Sequence, residues 1–506
     1  MTTQGDSDSG DAVETDGGTS FVEYGIEDEP PLTTSVLLGV QHYLTMVGAN
    51  IAVPLILAGA MGMPGPVTAK FVGTFFVVSG IATLCQTTIG NRYPIVQGAP
   101  FSMLAPALAI VATAPALPGS AGWESKLLFL QGAIIAAAAT EVFIGYLGIV
   151  GRLRRLLSPV VVAPTIALIG LSLFNVPQIT AADQNWWLLG LTVGLVVLFS
   201  QYWGDRHKVF DLFPVLLAIV IAWLVAALLS VSGVISSGAK GYVDLSAVTD
   251  VSLVFAIYPL QWGMPRFELA FAIGMFAGVL ASIIESFGDY HAVARLTGTG
   301  APSESRINHG IGMEGLMNVF AGIMGAGGST SYSENIGAIG LTGVASRRVV
   351  QVGAAVMLVV GFFGPFGQLI ATIPDPIVGG LFVAMFGQIV AVGLSNLKYV
   401  DLDSSRNVFV IGIALFTGLT VPNYMGGLEG VGALQSGLGD IALVGGILGT
   451  QAVANTLFVI GGTGMAVGGL IALVLDNTIP GTEEERGVTA WEDIAEDEDD
   501  FESVWS

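Results

Sequence analysis

The feature of this chain that most constrains its fold is a series of long apolar segments between residues 33 and 476. A membrane-spanning helix needs about 20 mostly apolar residues in succession. Twelve segments fit this description, at approximately 33–58, 67–90, 126–150, 158–175, 185–203, 211–233, 267–287, 311–326, 347–371, 377–396, 405–422 and 452–476. The pattern predicts an all-α polytopic membrane protein.

Charge is scarce and is concentrated at the two ends of the chain. Only 11% of the 506 residues are charged, whereas a soluble domain carries about 25%. Of the 39 acidic residues, 20 lie in 1–30 and 481–506, so 19 acidic and 16 basic residues remain for 31–480. This distribution excludes a soluble enzyme with a charged surface. It equally excludes a nucleic-acid-binding protein, which needs a basic surface. We expect two solvated acidic tails.

Two further segments are too short or too interrupted to cross a membrane as regular helices. Segments 93–115 and 325–343 place Gly, Pro or Ser beside a short apolar helical pattern. They raise the total to fourteen spans and fall third and tenth, seven spans apart. Such a matching pair indicates an inverted-repeat transporter with a binding site near the middle of the bilayer. The alternative is two ordinary kinked helices.

The basic residues support the count of fourteen. Alternate connections then hold thirteen and four of the 17 lysines and arginines. Cytoplasmic loops collect the basic residues, which predicts that both termini are cytoplasmic. The single Cys85 allows no internal disulfide, and we predict that it is a small core residue. Motifs for nucleotide hydrolysis or metal-dependent catalysis are absent from the sequence, so we expect no enzyme activity, cofactor or metal.

Acidic residues inside predicted spans are the main candidates for chemistry. Glu285 and Asp289 are four residues apart on one face at the end of the eighth span, and Glu334 begins the half-helix of the tenth. Charges at membrane depth are costly and usually mark a substrate or ion pathway. Desolvation and a like charge both favour the neutral carboxyl, so one of the pair is a candidate proton carrier. Alternatively, Asp289 lies at the interface beside Arg295, and Glu334 only caps its helix.

Histidine offers one further candidate. His42 follows Gln41 within the first span. An imidazole there is either a hydrogen-bonded packing residue or a proton-linked member of the site, and the sequence leaves both readings open.

Several motifs resemble the nucleobase–ascorbate transporters, also known as the nucleobase:cation symporter-2 or xanthine/uracil permease family. The family signature reads Glu334-Asn335-Ile336-Gly337, four further residues, and then Thr342-Gly343. Supporting motifs are Gln41-His42, Gly98-Ala99-Pro100-Phe101 and ESFGD at 285–289. The resemblance covers nearly all of residues 33–487.

The resemblance implies a specific architecture. Two inverted repeats of seven spans form a core domain and a gate domain, with short strands and half-helices in spans 3 and 10, and gates that pair in a homodimer. The implied segments are 31–157 (core, spans 1–4), 158–264 (gate, spans 5–7), 265–372 (core, spans 8–11) and 373–480 (gate, spans 12–14), flanked by tails at 1–30 and 481–506.

The resemblance also implies the substrate site. Carboxylates hold the ring N–H groups of a nucleobase, backbone N–H groups bind its carbonyl oxygens, and aromatic rings cover it. The substrate-binding residues carried over are Glu285, Glu334, Phe101, Ser333, Ala49, Tyr332 and Phe386. A coupling network of Asp289, His42, Gln41 and Asn335 would lie around them.

The expected function is cation symport of uracil, xanthine or a related oxopurine across the cell membrane, through an elevator-like motion and driven by H⁺ or Na⁺. Two departures from the family pattern matter: Pro100 replaces a common Ser, and Asp289 stands where some relatives carry His. One alternative is an anion exchanger of similar fold, which Glu285 and Glu334 oppose because carboxylates repel anions. The other is a non-transporting membrane receptor or scaffold.

Overall fold

A computed structural model describes residues 22–150, 156–249, 251–488 and Phe501. The structure is built almost entirely from helices. The helices of eight or more residues are α1 Leu32–Met61, α2 Gly65–Thr88, α3 Leu104–Thr113, α4 Gly122–Tyr146, α5 Pro159–Leu171, α6 Trp186–Val197, α7 Pro214–Val231, α8 Leu269–Thr297, α9 Glu304–Met324, α10 Ser333–Thr342, α11 Arg347–Phe362, α12 Gly364–Ala371, α13 Asp375–Ser395, α14 Ser405–Gly426, α15 Val431–Gly439, α16 Gln451–Gly461 and α17 Gly464–Thr478.

Many of these helices are long and apolar enough to cross a membrane. Among the described residues, eight helices of at least 18 residues pass this test, and the bent pair α16–α17 makes up to nine. The eight are α1, α2, α4, α6 with its continuation to Arg206, α7, α8, α13 with its continuation to Tyr399, and α14. The multi-pass helical fold is therefore confirmed, and the arrangement as fourteen spans in two repeats stays a prediction.

The two interrupted segments meet in the middle of the fold. Strand β1 (Gln97–Gly98) precedes α3, and strand β2 (Thr330–Ser331) precedes α10. The strands pair antiparallel, with Gln97 opposite Ser331 and Gly98 opposite Thr330. A Cβ atom at Gly98 would lie 2.5 Å from the Tyr332 ring, so only glycine fits at this crossing. Two short helices therefore lead away from one small sheet.

The helices pack in two sets around this sheet. In one set, α4 packs against α8 and α9, and α11 packs against α1 and α2. In the other set, α5 packs against α13 and α17, α6 packs against α7 and α13, and α14 packs against α17. The division of the chain into core and gate domains stays a prediction.

Some helix boundaries differ from the sequence prediction. The expected span 267–287 is part of the longer helix α8, which continues to Thr297, and the expected span 311–326 begins earlier, at Glu304. Polar side chains in these extra turns, such as Asp289 and His291, are buried, so hydropathy alone ended the predicted spans too soon. The expected span 347–371 breaks at Phe363, where the backbone pairs with Val254.

The expected acidic tail at 1–30 needs correction at its C-terminal end. Residues 22–31 lie against the turn that follows α10, where Tyr24 forms a parallel bridge with Val344. The Glu27 carboxylate accepts a hydrogen bond of 2.9 Å from Nε of Arg347 and lies 3.5 Å from Arg92. Acidic residues here contact basic residues of the helical bundle instead of being only solvated. Residues 1–21 lie outside the described part.

Candidate functional site

A cavity of about 550 Å³ lies between the two helix sets and beside the two-stranded sheet. Residues from α1, α5, α7, α8, α10 and α13 line it. Its walls include six residues singled out from the sequence: Phe101, Glu285, Asp289, Tyr332, Ser333 and Gly337. The fold therefore brings together candidate residues that are up to 236 positions apart in the sequence.

Helix α8 supplies the acidic wall of the cavity. Glu285, Gly288, Asp289 and Ala292 all face it, because residues three and four positions apart share one face of a helix. Glu285 is half-buried, whereas Asp289 is only 5% exposed. The structure thus places one carboxyl at the cavity surface and a second one deeper in the wall.

Asp289 is tied to the interrupted segment instead of to the membrane interface. Its Oδ2 accepts a hydrogen bond of 2.6 Å from Ser331, and its Oδ1 accepts one of 2.7 Å from Ser333. Arg295, the interfacial partner that we considered, donates to the hydroxyl of Tyr399 at 3.2 Å. The reading of Asp289 as a wetted interfacial residue is therefore wrong.

Helix α10 points its N-terminal end into the cavity through Ser333, its first residue. The first N–H groups of a helix have no partner within the helix and offer hydrogen bonds to a ligand. Glu334 is the second residue of α10, and its side chain lies outside the described part of the structure, as does that of Ala49 on α1. The expected roles of these two side chains remain predictions.

The residue after Glu334 fixes this helix end in place. Oδ1 of Asn335 accepts a hydrogen bond of 2.9 Å from the backbone N–H of Val96, and its Nδ2 donates one of 2.8 Å to Nδ1 of His42. Asn335 and His42 are 0% and 1% exposed. This contact places His42 behind the cavity wall as a hydrogen-bonded residue, and a proton-linked role for it stays a prediction. Gln41 is half-buried on the same helix.

The last residues of the family signature end the short helix. Thr342 donates to the carbonyl of Ala338 at 2.7 Å, and Gly343 follows α10 with φ of 69°. The Gly343 carbonyl accepts hydrogen bonds from the backbone N–H groups of Glu23 and Tyr24. These positions therefore shape the end of α10 that is remote from the cavity.

The side of the cavity formed by α5, α7 and α13 is mostly apolar, with Gln388 and Ser395 of α13 as polar members. Met385 and Ile389 of α13 line it, as do residues of α5 and α7. The ring of Phe386 packs edge-on against Phe101, with 6.2 Å between the ring centroids, and stacks on Phe382 at 5.4 Å. A flat ring that entered the cavity would therefore have aromatic and aliphatic contacts on one side and carboxyls and N–H groups on the other.

Sequence reasoning missed two acidic residues that lie behind the cavity wall. Glu314 on α9 is 1% exposed and accepts hydrogen bonds from Ser282 and Thr330 on Oε1 and from Ser286 on Oε2. Glu141 on α4 is fully buried and accepts one hydrogen bond from Asn318. Both lie inside predicted spans, so the rule that selected Glu285 also applies to them.

A chain of hydroxyl groups connects Glu314 to the cavity. Ser286 donates to Glu314 at 2.5 Å and lies 2.9 Å from Ser331, which donates to Asp289 at 2.6 Å. Hydroxyl groups can accept and donate at once, so this chain is suited to proton movement. Across the described residues, no three His, Cys, Asp or Glu side chains are grouped to hold a metal ion.

The multi-pass fold and its central cavity between two helix sets define a membrane transporter. Residues 33–426 match the Permease family. Solute carrier family 23 member 2 of Mus musculus is 44% identical over 510 residues, covering 92% of this chain and 76% of its own length. Nucleobase-ascorbate transporter 12 of Arabidopsis thaliana is 35% identical over 521 residues, covering 93% and 72%. The chain therefore belongs to the nucleobase–ascorbate transporter family.

Solved structures with a similar fold come from other transporters. The transmembrane domain of the cyanobacterial bicarbonate transporter BicA aligns with a TM-score of 0.54 at 16% identity, covering 78% of this chain and 97% of that domain. The inward-facing murine solute carrier 26 family member A9 aligns with a TM-score of 0.57 at 11% identity, covering 77% and 66%. At these identities the similarity concerns the fold alone.

Proposed function

We propose that the protein imports a nucleobase, namely uracil, xanthine or a related oxopurine, by proton symport across the cell membrane. The observation that carries this proposal is the cavity in which the Glu285 carboxyl, the N-terminal end of α10 and the Phe101 ring face one another. Such bases present alternating C=O and N–H groups on a flat ring. A carboxylate accepts from ring N–H, helix N–H groups donate to ring C=O, and an aromatic side chain packs on the ring face.

The arrangement of the acidic residues supports H⁺ as the coupled ion. Glu285 faces the cavity. Asp289 also lines the cavity, and the hydroxyl groups of Ser331 and Ser286 connect Asp289 to Glu314. Protonation neutralises a carboxyl at membrane depth and so lowers the cost of moving it with the substrate. We propose that the helix set containing α8 and α10 is the moving core, that the set containing α5 and α13 is the gate of a homodimer, and that both termini are cytoplasmic.

The carboxyls also separate this function from anion exchange. BicA and the solute carrier 26 protein share the fold, and their names describe transport of bicarbonate or anions. Here Arg295 and Lys398 also line the cavity, but Glu285 and Asp289 lie on the same wall as the N-terminal end of α10, and two carboxylates there repel an inorganic anion in a low-dielectric site. A neutral heterocycle that exchanges hydrogen bonds with a carboxyl fits this wall better.

Uptake into liposomes tests the proposal. Purified protein is reconstituted, and labelled uracil, xanthine, ascorbate and bicarbonate are offered with an inward pH gradient, an inward Na⁺ gradient or neither. We expect nucleobase accumulation driven by the pH gradient and blocked in Glu285→Gln, with Glu304→Gln, an exposed residue at the start of α9, as the matched control. Accumulation of ascorbate alone, accumulation driven by Na⁺ alone, or exchange of bicarbonate would each contradict it.

A further inference from the structure

Two carboxyls lie together inside the helical bundle, behind the wall of the cavity. Glu141 on α4 is 0% exposed and Glu314 on α9 is 1% exposed. The two helices approach closely here, because a Cβ atom at Gly315 would lie only 2.6 Å from the backbone nitrogen of Val142. Gly315 and Val142, the neighbours of Glu314 and Glu141, thus form the contact, and Glu141 accepts a hydrogen bond from Asn318 across it, so both acids lie at the interface of α4 and α9.

The surroundings of Glu314 suit a charged carboxylate. Three hydroxyl groups donate to it: Ser282 at 2.6 Å and Thr330 at 2.9 Å to Oε1, and Ser286 at 2.5 Å to Oε2. Hydrogen bonds to both oxygens favour the ionised form of a carboxyl. Several donors of this kind also partly replace the hydration that burial removes.

The surroundings of Glu141 suit a neutral carboxyl instead. Its Oε2 accepts one hydrogen bond of 2.9 Å from Nδ2 of Asn318, and its Oε1 has no partner in the part of the chain that the structure describes. A buried neutral carboxyl with one unsatisfied oxygen loses one hydrogen bond. A buried ionised carboxyl without compensation costs far more free energy, and still more beside a second negative charge. Within the described residues, no lysine or arginine forms an ion pair with either acid.

We propose that Glu141 and Glu314 form a proton-binding pair in which Glu141 stays protonated and Glu314 takes up the coupled proton from Asp289. This inference rests on the proposed proton symport and adds a binding site for the coupled proton away from the substrate. Among the described residues, the titratable groups that face the pair are Asp289 and Tyr290, both on α8. The Tyr290 hydroxyl accepts a hydrogen bond of 2.9 Å from Gln86 of α2, which holds it in place.

The transfer follows the hydroxyl chain. Protonated Asp289 gives its proton to Ser331, the hydroxyl proton of Ser331 passes to Ser286, and that of Ser286 passes to Oε2 of Glu314. Asp289 is then ionised, Glu314 is neutral, and both serines keep one proton each. The net result is the transfer of one proton from Asp289 in the cavity wall to the more deeply buried Glu314 through two hydroxyl groups, with no other reactant.

Infrared difference spectroscopy of the full-length protein in liposomes tests the pair directly. We expect a C=O band of a protonated carboxyl that persists above the pH at which exposed carboxyls ionise and that disappears in Glu141→Gln. A second such band grows on acidification and disappears in Glu314→Gln. The titration midpoint of this second band stays within about half a pH unit in Glu141→Gln, because one neutral group replaces another. Glu304→Gln, exposed at the start of α9, should leave both bands unchanged.

Transport supplies the second readout. Glu314→Gln should abolish accumulation driven by a pH gradient while exchange of internal for external nucleobase continues, and Ser286→Ala should slow proton uptake about tenfold or more. Persistent pH-driven accumulation in Glu314→Gln, or no band lost in Glu141→Gln, would overturn the proposal. If wild-type protein imports no nucleobase, the proposed function fails, whereas the two infrared bands still decide whether the pair exists. Nucleobase binding and monodisperse gel filtration show which variants are folded.

Discussion

Replacing Asn335 by alanine tests how the short helix α10 is held in place. The substitution removes the acceptor of the Val96 N–H and the donor to Nδ1 of His42, at 2.9 and 2.8 Å. All three residues are at most 2% exposed, so water does not readily replace these bonds. Each buried polar group left without a partner costs about 1–3 kcal/mol, which predicts that the free energy of unfolding falls by about 2–6 kcal/mol.

The assay is denaturant-induced unfolding in mixed micelles, with Asn423→Ala as the control because Asn423 is exposed on α14. The double variant of Asn335 and His42 should lose less stability than the two single variants predict together, since they share one bond. We also expect weaker nucleobase uptake, because α10 presents its N-terminal end to the cavity. Equal stability of Asn335→Ala and Asn423→Ala would refute the reasoning that these bonds position α10.

Three further predictions follow from other contacts. Gly98→Ala places a Cβ atom 2.5 Å from the Tyr332 ring and should abolish uptake and lower the unfolding midpoint; a wild-type midpoint would disprove the close contact. Phe386→Ala removes the ring that packs against Phe101 of the cavity wall and should weaken nucleobase binding about tenfold by calorimetry, unlike Phe416→Ala on the exposed side of α14. Glu27→Gln should destabilise the fold by only about 0.2–1 kcal/mol, because its ion pairs are largely exposed; a larger loss would contradict this.

The sequence was sufficient to find the centre of the fold. Segments 93–115 and 325–343 stood out because Gly, Pro and Ser interrupt short apolar patterns, and their positions proved to hold β1–α3 and β2–α10. Helical periodicity alone placed Glu285 and Asp289 on one face, which does line the cavity. These features depend on local composition and on the geometry of one helix, so a sequence reveals them.

Long-range contacts explain what sequence reasoning missed. The break at Phe363 depends on pairing with Val254. Local signals were also passed over, because Gly364-Pro365 and Gly461-Gly462 lie beside the two breaks. The contact of residues 22–31 with the turn after α10 joins positions more than 300 apart. Glu141 was visible as an intramembrane acid, but its closeness to Glu314 depends on the packing of α4 against α9.

The hydrogen bonds around β1 show how the backbone of this interrupted segment is satisfied within the protein. Unwound backbone at membrane depth must find partners within the protein. The N–H of Gln97 donates to Thr83 at 2.9 Å, and that of Ala99 donates to Asn50 at 3.0 Å. The Ala99 carbonyl accepts from the Tyr332 hydroxyl at 2.9 Å. Buried side chains of α1 and α2 thus accept the hydrogen bonds of backbone N–H groups in this segment.

The groups that face the cavity have a different pattern of partners. Ser333 starts α10, and the first N–H groups of a helix have no acceptor within the helix itself. Glu285 projects from the neighbouring face of α8 into the same space. The scaffold therefore uses Asn50, Thr83 and Asn335 to hold the interrupted segments, whereas Glu285 and the N-terminal end of α10 line the cavity. Substitutions in the first group should lower stability together with transport, whereas substitutions of Glu285 should lower transport alone.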